Sequence, residues 1–269
     1  MPIAMVTGPS SGIGRAVTHQ LADLGFHVIA AGRSSQRVGA VVDEVMAAGG
    51  SAERLLLDLG SLESAREAAR AFEASGRALD VLVNNAAVGV ARGTTADGFE
   101  LQFGVNHLGH FMLTHHLRRT FRPGTRIVQV SSNVHYRATG IDFDRVTRPT
   151  RSLTGVEEYA ASKLANVLFS RRMAQLQPDW RVFAVHPGLV DTGLFPALTR
   201  PFLRRKMLTP DQGADTVVWC ATDPGLADSS GGYYANRAER APSRAALDGE
   251  LAAELWARSE RWCGVAPAN

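Results

Sequence analysis

Residues 3–14 read Ile-Ala-Met-Val-Thr-Gly-Pro-Ser-Ser-Gly-Ile-Gly, a short apolar run that passes into a glycine-rich turn. A helical pattern follows from Arg15 to Leu24. In a strand–turn–helix unit of this kind, backbone N–H groups and the helix dipole can receive a pyrophosphate. Glycine is needed where the backbone approaches a phosphate, because a Cβ would stand in the way. An ordinary glycine turn is the alternative, but a position at the first strand–helix junction favours dinucleotide binding.

Further apolar runs, separated by turns and helical patterns, extend this arrangement along the chain. Strands are predicted at residues 27–31, 52–57, 79–83, 126–130, 181–186 and 233–235. Strands that alternate with helices build a parallel sheet with helices on both faces. A length of 269 residues suits one large domain. We therefore predict an α/β fold over residues 1–269, a single-domain Rossmann fold with a doubly wound parallel sheet of about seven strands flanked by helices.

The composition argues against several other classes of protein. The net charge is only +3 and the arginines are scattered, which disfavours nucleic-acid binding. Cys220 and Cys263 are too few for a disulfide scaffold and favour a reduced compartment. The four histidines between residues 107 and 116 lack nearby carboxylate or cysteine ligands, so no metal site is predicted. No signal peptide or bilayer-length apolar run is evident, which predicts a cytoplasmic protein without an integral membrane segment.

The sequence Tyr159-Ala160-Ala161-Ser162-Lys163 places a phenol and an ammonium group on one face of a predicted helix. A neighbouring ammonium favours the phenolate, so the phenol can exchange a proton at working pH. Lysine occurs only at positions 163 and 206, whereas arginine serves elsewhere. The presence of lysine rather than arginine at position 163 therefore indicates a need for a compact ammonium with three hydrogen-bond donors. A solvated helix pair is the alternative to an acid/base catalyst.

The second predicted strand ends at Gly32-Arg33-Ser34, and no Asp or Glu lies between Ala30 and Arg37. An acidic residue at this place would bind the ribose 2′-hydroxyl, whereas an arginine accommodates a 2′-phosphate. We therefore predict NADP(H) as the cofactor, with NAD(H) less favoured; the alternative for Arg33 is a solvated loop charge. Asp58 follows the third strand, where it either meets the cofactor or caps the next helix.

Polar residues also follow the fourth and fifth predicted strands. Asn84-Asn85-Ala86 would let the backbone lie against a nucleoside, or would simply form a turn. Ser132 lies at the carboxyl end of a strand, where open parallel sheets place ligands, and could donate to a substrate oxygen or cap a loop. Asn106 lies in a helical stretch, where asparagine is disfavoured. Its presence there indicates that it makes polar contacts in a crevice.

The sixth predicted strand is followed by Pro187-Gly188-Leu189-Val190-Asp191-Thr192. At about residues 193–209, Leu, Phe, Met and Pro are then mixed with four basic residues. The position of this segment suggests a lid over the substrate. A basic amphipathic surface helix and a membrane-surface patch are the alternatives.

In this order the motifs are similar to those of the short-chain dehydrogenase/reductase family, which the chain resembles over essentially its whole length. Residues 97–111 and 162–169 resemble its retinol dehydrogenase and WW-domain oxidoreductase branch, which also has a long gap between serine and tyrosine, here from 132 to 159. The resemblance implies that Tyr159 is the general acid/base and that Lys163 holds the nicotinamide ribose and lowers the pKa of Tyr159. It implies that Ser132 orients the substrate carbonyl and that Asn106 holds a water in a proton relay behind Lys163.

The resemblance also implies a set of cofactor-binding residues. They are Gly8, Ser10, Ser11, Gly12, Ile13 and Gly14 in the glycine turn, Arg33 at the 2′-phosphate, Asp58 and Leu59 at the adenine, Asn84, Asn85 and Ala86, Tyr159 and Lys163, and Pro187, Gly188, Val190 and Thr192 towards the nicotinamide. Ala87 departs from the family pattern, which usually has glycine there. A Cβ at this place would crowd the adenosine ribose or stiffen the turn.

We therefore expect an NADP(H)-dependent oxidoreductase that transfers hydride between nicotinamide and a carbonyl/alcohol pair, with a hydrophobic aldehyde or ketone as its small-molecule substrate. A sensor or scaffold that binds NADP(H) without turnover is the alternative, but it has no need of Ser132, Tyr159 and Lys163. Epimerase or dehydratase chemistry on nucleotide sugars is disfavoured by the chain length and the glycine spacing. The resemblance further implies a homodimer or homotetramer, formed through the helices of Asn106 and Tyr159.

Overall fold

A sheet of eight strands lies at the centre of the computed structural model, which describes residues 1–190 and 207–267. The strands are β1 (Ile3–Thr7), β2 (His27–Gly32), β3 (Ser51–Leu56), β4 (Val81–Asn84), β5 (Arg126–Val130), β6 (Arg181–His186), β7 (Tyr233–Ala235) and β8 (Ala238–Arg240). Their order across the sheet is β3-β2-β1-β4-β5-β6-β7-β8. Strands β1 to β7 pair in parallel, and β8 is antiparallel to β7. The predicted doubly wound sheet is thereby confirmed.

The eighth strand was not predicted from the sequence. It returns from β7 through Asn236 and Arg237, whose φ angles are 52° and 51°. Two successive positive φ angles are typical of a tight hairpin turn, and asparagine tolerates the left-handed region better than most residues. The strand itself is only the tripeptide Ala238-Glu239-Arg240 at the edge of the sheet, which is too short and too polar to give a hydrophobic pattern.

Helices cover both faces of the sheet. They are α1 (Gly12–Asp23), α2 (Ser35–Ala47), α3 (Leu62–Glu73), α4 (Leu101–Phe103), α5 (Gly109–Leu117), α6 (Val156–Leu176), α7 (Pro210–Thr222) and α8 (Gly249–Cys263). One buried apolar layer packs α3, α5, α6 and α8 against the sheet, and the layer on the opposite face packs α1, α2 and α7. None of the helices in residues 1–190 and 207–267 is long and apolar enough to cross a membrane.

The long helical stretch predicted at residues 98–120 contains a π-helical turn at Gly104–Leu108, between α4 and α5. Turns of this kind occur mostly as single insertions in α-helices and are frequent at functional sites. The first residue after the turn, Gly109, touches the loop that follows β3: a Cβ built on it would lie 2.4 Å from the oxygen of Leu59. Glycine at this position therefore lets the π-helical turn lie close against that loop.

The C-terminal helix α8 packs on the outer side of α5 and α6. The Trp256 ring lies 5.0 Å from that of Phe111 on α5 and 5.7 Å from that of Phe169 on α6, centroid to centroid. Ser259 Oγ lies 2.9 Å from Nε2 of the buried His107 in the π-helical turn. The surface that was predicted to pair subunits is therefore covered, around Phe111 and Phe169, by the chain's own helix.

Candidate active site

Three of the predicted catalytic residues converge at the carboxyl end of β5. Ser132 is the second residue after this strand, and Tyr159 and Lys163 are the fourth and eighth residues of α6. The Lys163 Nζ atom lies 5.6 Å from the centroid of the Tyr159 ring. Ser131 Oγ donates a hydrogen bond of 2.8 Å to the main-chain oxygen of Lys163 and so joins α6 to the end of β5.

Lys163 is only 1% exposed, which is unusual for an ammonium group. Its Nζ donates to the main-chain oxygen of Val130 at 2.9 Å, and Asn166 Nδ2 donates to the same oxygen at 3.1 Å. Burial lowers the pKa of Lys163 to about 7. Because an ammonium has three donors and Val130 takes one of them, the side chain retains donors for a bound molecule.

The phenol of Tyr159 is buried as well, with 9% of the residue exposed. Burial raises its pKa above the ordinary value, and a hydrogen bond with the Ser132 side chain opposes that rise. The Tyr/Lys spacing predicted the reverse, a phenolate favoured by the ammonium. In the free protein the burial of the phenol acts in the opposite direction and favours its protonated form.

Ser132 combines the two roles considered for it. Its Oγ accepts from the Val134 N–H at 3.3 Å and so caps the short 3₁₀ turn at Asn133–Arg137. The same side chain interacts with the Tyr159 hydroxyl. Its main-chain oxygen is held by His135, whose Nδ1 lies 2.7 Å away. The turn therefore fixes a hydroxyl beside the phenol.

The side-chain amide of Asn106 is fully buried and already engaged. Its Oδ1 accepts from the Val88 N–H at 2.8 Å, while Nδ2 donates to the Val88 oxygen at 2.9 Å and to Ser162 Oγ at 3.0 Å. The amide therefore fastens the loop after β4 to α6. A water relay at this residue would depend on its main-chain oxygen.

The glycine turn presents a helix N-terminus without a side-chain cap. Ser11, the N-cap of α1, makes no side-chain cap hydrogen bond, and no acidic residue lies in the first helical turn. The free N–H groups of such a terminus attract an anion, so the turn suits a pyrophosphate. Gly8 and Gly12 have φ angles of 67° and 53°. Ser10 and Ile13, which the sequence also predicts to bind the phosphates, lie within the same turn.

Thr7, which sequence reasoning did not single out, ties this turn to the loop after β4. Its Oγ1 accepts from the N–H groups of Asn85 and Ala86, each at 2.9 Å. Asn85 Nδ2 donates to the main-chain oxygen of Thr7 at 2.9 Å. The side chain of Asn84 instead lies in the core, 1% exposed, and donates to Thr114 Oγ1 at 3.0 Å. The Asn84 amide therefore stabilises the contact between β4 and α5.

The region after β2, where the sequence predicts the adenosine phosphate, carries positive charge without ion-pair partners among the described residues. Arg33, Arg37 and Arg54 are exposed, and none of them forms an ion pair with a carboxylate of the described residues. Asp58 is exposed too, with Oδ1 accepting from the Gly60 N–H at 2.9 Å. Leu59 is 6% exposed and belongs to the core. Arginines without carboxylate partners suit a phosphate.

The loop after β6 reaches the glycine turn. Pro187 and Gly188 follow this strand directly, and Gly188 has a φ of 89°. A Cβ built on Gly213 of α7 would lie 2.5 Å from Val190 Cγ2 and 3.2 Å from Ile13 Cγ1, so Val190 and Ile13 converge there. Thr192 and residues 193–206 of the predicted lid lie outside the described residues. Within residues 1–190 and 207–267, no group of three His, Cys, Asp or Glu side chains could hold a metal ion.

Comparisons with known proteins agree with this geometry. Residues 2–141 match the family model described as short chain dehydrogenase. The chain is 39% identical to human dehydrogenase/reductase SDR family member 13 over 99% of this chain and 74% of that protein. It is 39% identical to mouse polyprenol dehydrogenase over 98% and 84%, respectively. A crystal structure of a putative uncharacterized protein from Mycobacterium paratuberculosis superposes with a TM-score of 0.81 at 31% identity, over 98% of this chain and 94% of that one.

Proposed function

The chain belongs to the short-chain dehydrogenase/reductase family of nicotinamide-dependent oxidoreductases, and on this basis we propose that it reduces a carbonyl compound to an alcohol with NADPH. One observation carries the proposal: Ser132, Tyr159 and the buried Lys163 meet at the carboxyl end of a central strand. In open parallel sheets, ligands bind at this edge. When bound, the cofactor supplies a hydride to the carbonyl carbon and takes one in the reverse reaction.

Tyr159 is the proton donor in this proposal. Burial raises the pKa of its phenol, so the group is protonated at neutral pH, the form that reduction requires. The Ser132 hydroxyl, held beside the phenol, orients the substrate oxygen by a hydrogen bond. As negative charge develops on that oxygen, the phenolic proton passes to it and a phenolate remains. The buried ammonium of Lys163 stabilises the phenolate through its charge.

Lys163 has a second role in the proposal, as a donor to the nicotinamide ribose. Its Nζ holds the Val130 oxygen and keeps two further donors. The Lys163 amine must be protonated for this role. With a pKa of about 7 in the free protein, both its charged and its neutral form are populated at neutral pH. The phosphate charges of a bound dinucleotide favour the protonated form. Cofactor binding and protonation of Lys163 therefore support each other.

The preference for NADP(H) over NAD(H) rests on charge at the adenosine end. Arg33 follows β2 directly, and Arg37 and Arg54 lie on the neighbouring helix and strand. Asp58 is the exposed acidic group of this region, and one of its oxygens is engaged by Gly60. Exposed guanidinium groups without carboxylate partners offer bidentate hydrogen bonds to a 2′-phosphate.

An apolar aldehyde or ketone is the proposed substrate class. Tyr136, four residues after Ser132, is 49% exposed, and Leu153, six residues before Tyr159, is 88% exposed. Large apolar side chains in the two loops that flank the catalytic residues favour an apolar ligand. A related protein in mouse is named polyprenol dehydrogenase, and a long isoprenoid alcohol is consistent with this surface. A cytoplasmic location is proposed as well, because both cysteines are free and buried.

The test is NADPH oxidation by the purified protein against long-chain isoprenoid aldehydes, aryl ketones, quinones and small polar carbonyls. Tyr159→Phe should lower turnover by about 100-fold or more while NADPH binding, measured by calorimetry, stays within a few fold. Tyr234→Phe is the matched control, because this buried tyrosine lies in the opposite apolar layer. NADPH binding without turnover of any carbonyl would contradict the proposal and favour a cofactor sensor. Faster turnover with NADH would contradict the cofactor preference alone.

A further inference from the structure

His110, in the first turn of α5, lies between two parts of the candidate site and has no role in the mechanism described above. It is 1% exposed. Its Nε2 lies 2.9 Å from Oγ1 of Thr7, at the end of β1. Its Nδ1 lies 3.1 Å from the main-chain oxygen of Asn106 in the π-helical turn. One imidazole therefore joins the nucleotide turn to the carbonyl group on which a water relay would depend.

The direction of these hydrogen bonds follows from the hydroxyl of Thr7. A hydroxyl has two acceptor lone pairs and one proton. Both lone pairs are taken, since the Asn85 and Ala86 N–H groups each donate to Oγ1 at 2.9 Å. The proton is left for His110 Nε2 at 2.9 Å, because the Val83 oxygen is farther away at 3.4 Å. Nε2 therefore accepts, and Nδ1 carries the ring proton and donates to the Asn106 oxygen.

The charge state of His110 agrees with this assignment. Burial, together with the nearby charge of Lys163, lowers its pKa to about 4, although the hydrogen bond to the Asn106 oxygen acts in the opposite direction. The ring is therefore neutral at pH 7 and carries one proton, the number that the hydrogen-bond chain requires. A charged imidazole would have no lone pair to offer Thr7.

We propose that His110 is a positioning residue for proton transfer: through Nδ1–H it fixes the direction of the Asn106 carbonyl, and through Nε2 it locks that carbonyl to the turn formed by Thr7, Asn85 and Ala86. In the proposed relay, the Asn106 carbonyl accepts a hydrogen bond from a water beside Lys163 through the lone pair that His110 does not use. This inference rests on the proposed function, because it assigns the relay that returns a proton to Tyr159. His110 itself touches neither substrate nor cofactor.

Three substitutions separate the two hydrogen bonds. In His110→Asn the amide nitrogen takes the place of Nδ1 and keeps the donation to Asn106, but the link to Thr7 is lost. In His110→Gln the longer amide reaches Thr7 and loses the short donation. His110→Leu loses both. His107→Leu is the matched control, since His107 is also a buried neutral histidine of this segment but bonds to Ser259 on α8.

The expected result is a loss in kcat with little change in binding. His110→Leu and His110→Gln should lower kcat by about 10-fold and raise the solvent deuterium isotope effect on kcat, while the KM for the carbonyl and the Kd for NADPH stay within about 3-fold. His110→Asn should recover most of kcat. His107→Leu should lower the melting temperature but leave kcat and the isotope effect unchanged. Equal kcat in all variants, or a loss shared by His107→Leu, would overturn the inference.

A second measurement does not depend on activity. Nitrogen-15 chemical shifts of the His110 ring in the free protein report which nitrogen carries the proton. A protonated Nδ1 and a bare Nε2 at pH 7 are expected, and a protonated Nε2 would overturn the hydrogen-bond chain even in an active enzyme. A wild-type protein that turns over no carbonyl but shows the expected tautomer would contradict the proposed function and the relay role together, while leaving the hydrogen-bond geometry in place.

Discussion

The ε-amino group of Lys163 donates a 2.9 Å hydrogen bond to the main-chain oxygen of Val130 from a side chain that is 1% exposed. Burial lowers its pKa from 10.5 to about 7. Between these values the unfolded chain binds more protons at this site than the folded protein does. The stability contributed by this site therefore rises with pH above 7 and falls as the pH drops towards 7.

The first prediction follows from this difference in proton binding. In cofactor-free protein, the free energy of unfolding should rise between pH 7.5 and 9.5 by up to about 1.4 kcal/mol per pH unit from this site. Lys163→Met should remove that rise. Urea unfolding at several pH values measures it, and identical slopes for the two proteins would show that Lys163 keeps its proton when buried. Saturating NADPH should flatten the wild-type slope, because phosphate charges favour the ammonium.

Gly14→Ala should destabilise the nucleotide turn. A Cβ at Gly14 would lie 2.1 Å from the oxygen of Gly8 and 2.4 Å from Asn85 Nδ2, and backbone atoms at such a distance must move. We expect a loss of about 2 kcal/mol or more in unfolding free energy, with weaker NADPH binding. In the control, Gly249→Ala, the new Cβ meets no described atom within 4 Å. Thermal unfolding of the two variants gives the comparison, and equal melting temperatures would contradict it.

Arg33→Ala should change the choice of cofactor. Because Arg33 has no ion-pair partner among the described residues, its removal leaves no buried carboxylate behind. Loss of a charge-assisted hydrogen bond should weaken NADPH binding by about 10-fold and leave NADH binding unchanged. Arg240→Ala, at the exposed edge strand β8, serves as the control. An equal loss of both cofactors would assign Arg33 to general turn stability rather than to the 2′-phosphate.

Trp256→Ala should undock α8. The ring is 8% exposed, packs on Phe111 and Phe169, and its Nε1 donates to Glu260 at 2.7 Å. Truncation of a large buried aromatic side chain costs about 3–5 kcal/mol. Trp219→Ala, at a half-buried position on α7, should cost less. Calorimetry gives the stabilities, and light scattering should show self-association only for Trp256→Ala, since that variant opens the apolar face of α5 and α6.

Much of the fold could be predicted because its signals are local. Most of the parallel strands, such as Arg126–Val130, are apolar runs that end in a polar turn, and the placement of Ser132 follows from the end of its strand. Spacing alone put Tyr159 and Lys163 on one face of α6. By contrast, β8 is held by pairing with β7 and leaves no pattern of its own.

The features of the candidate site that could not be predicted from the sequence depend on contacts between distant segments. The raised pKa of Tyr159 comes from burial, which no spacing between two residues can report. The engaged amide of Asn106 depends on Val88 and Ser162, which lie 18 and 56 positions away. Thr7 and His110 are 103 positions apart, and neither belongs to a motif that marks it for hydrogen bonding. The histidines near residue 110 suggested only metal binding when considered from the sequence.

The docking of α8 also sets an order of events during synthesis. Trp256 packs on Phe111 and Ser259 bonds to His107, yet the ribosome releases α8 long after it releases α5 and α6. The nascent chain therefore exposes the apolar rings of Phe111 and Phe169 until α8 has emerged and packed on them. A product that stops before α8 would keep every candidate catalytic residue but would expose the apolar face of α5 and α6. Chaperones and proteases should therefore recognise it.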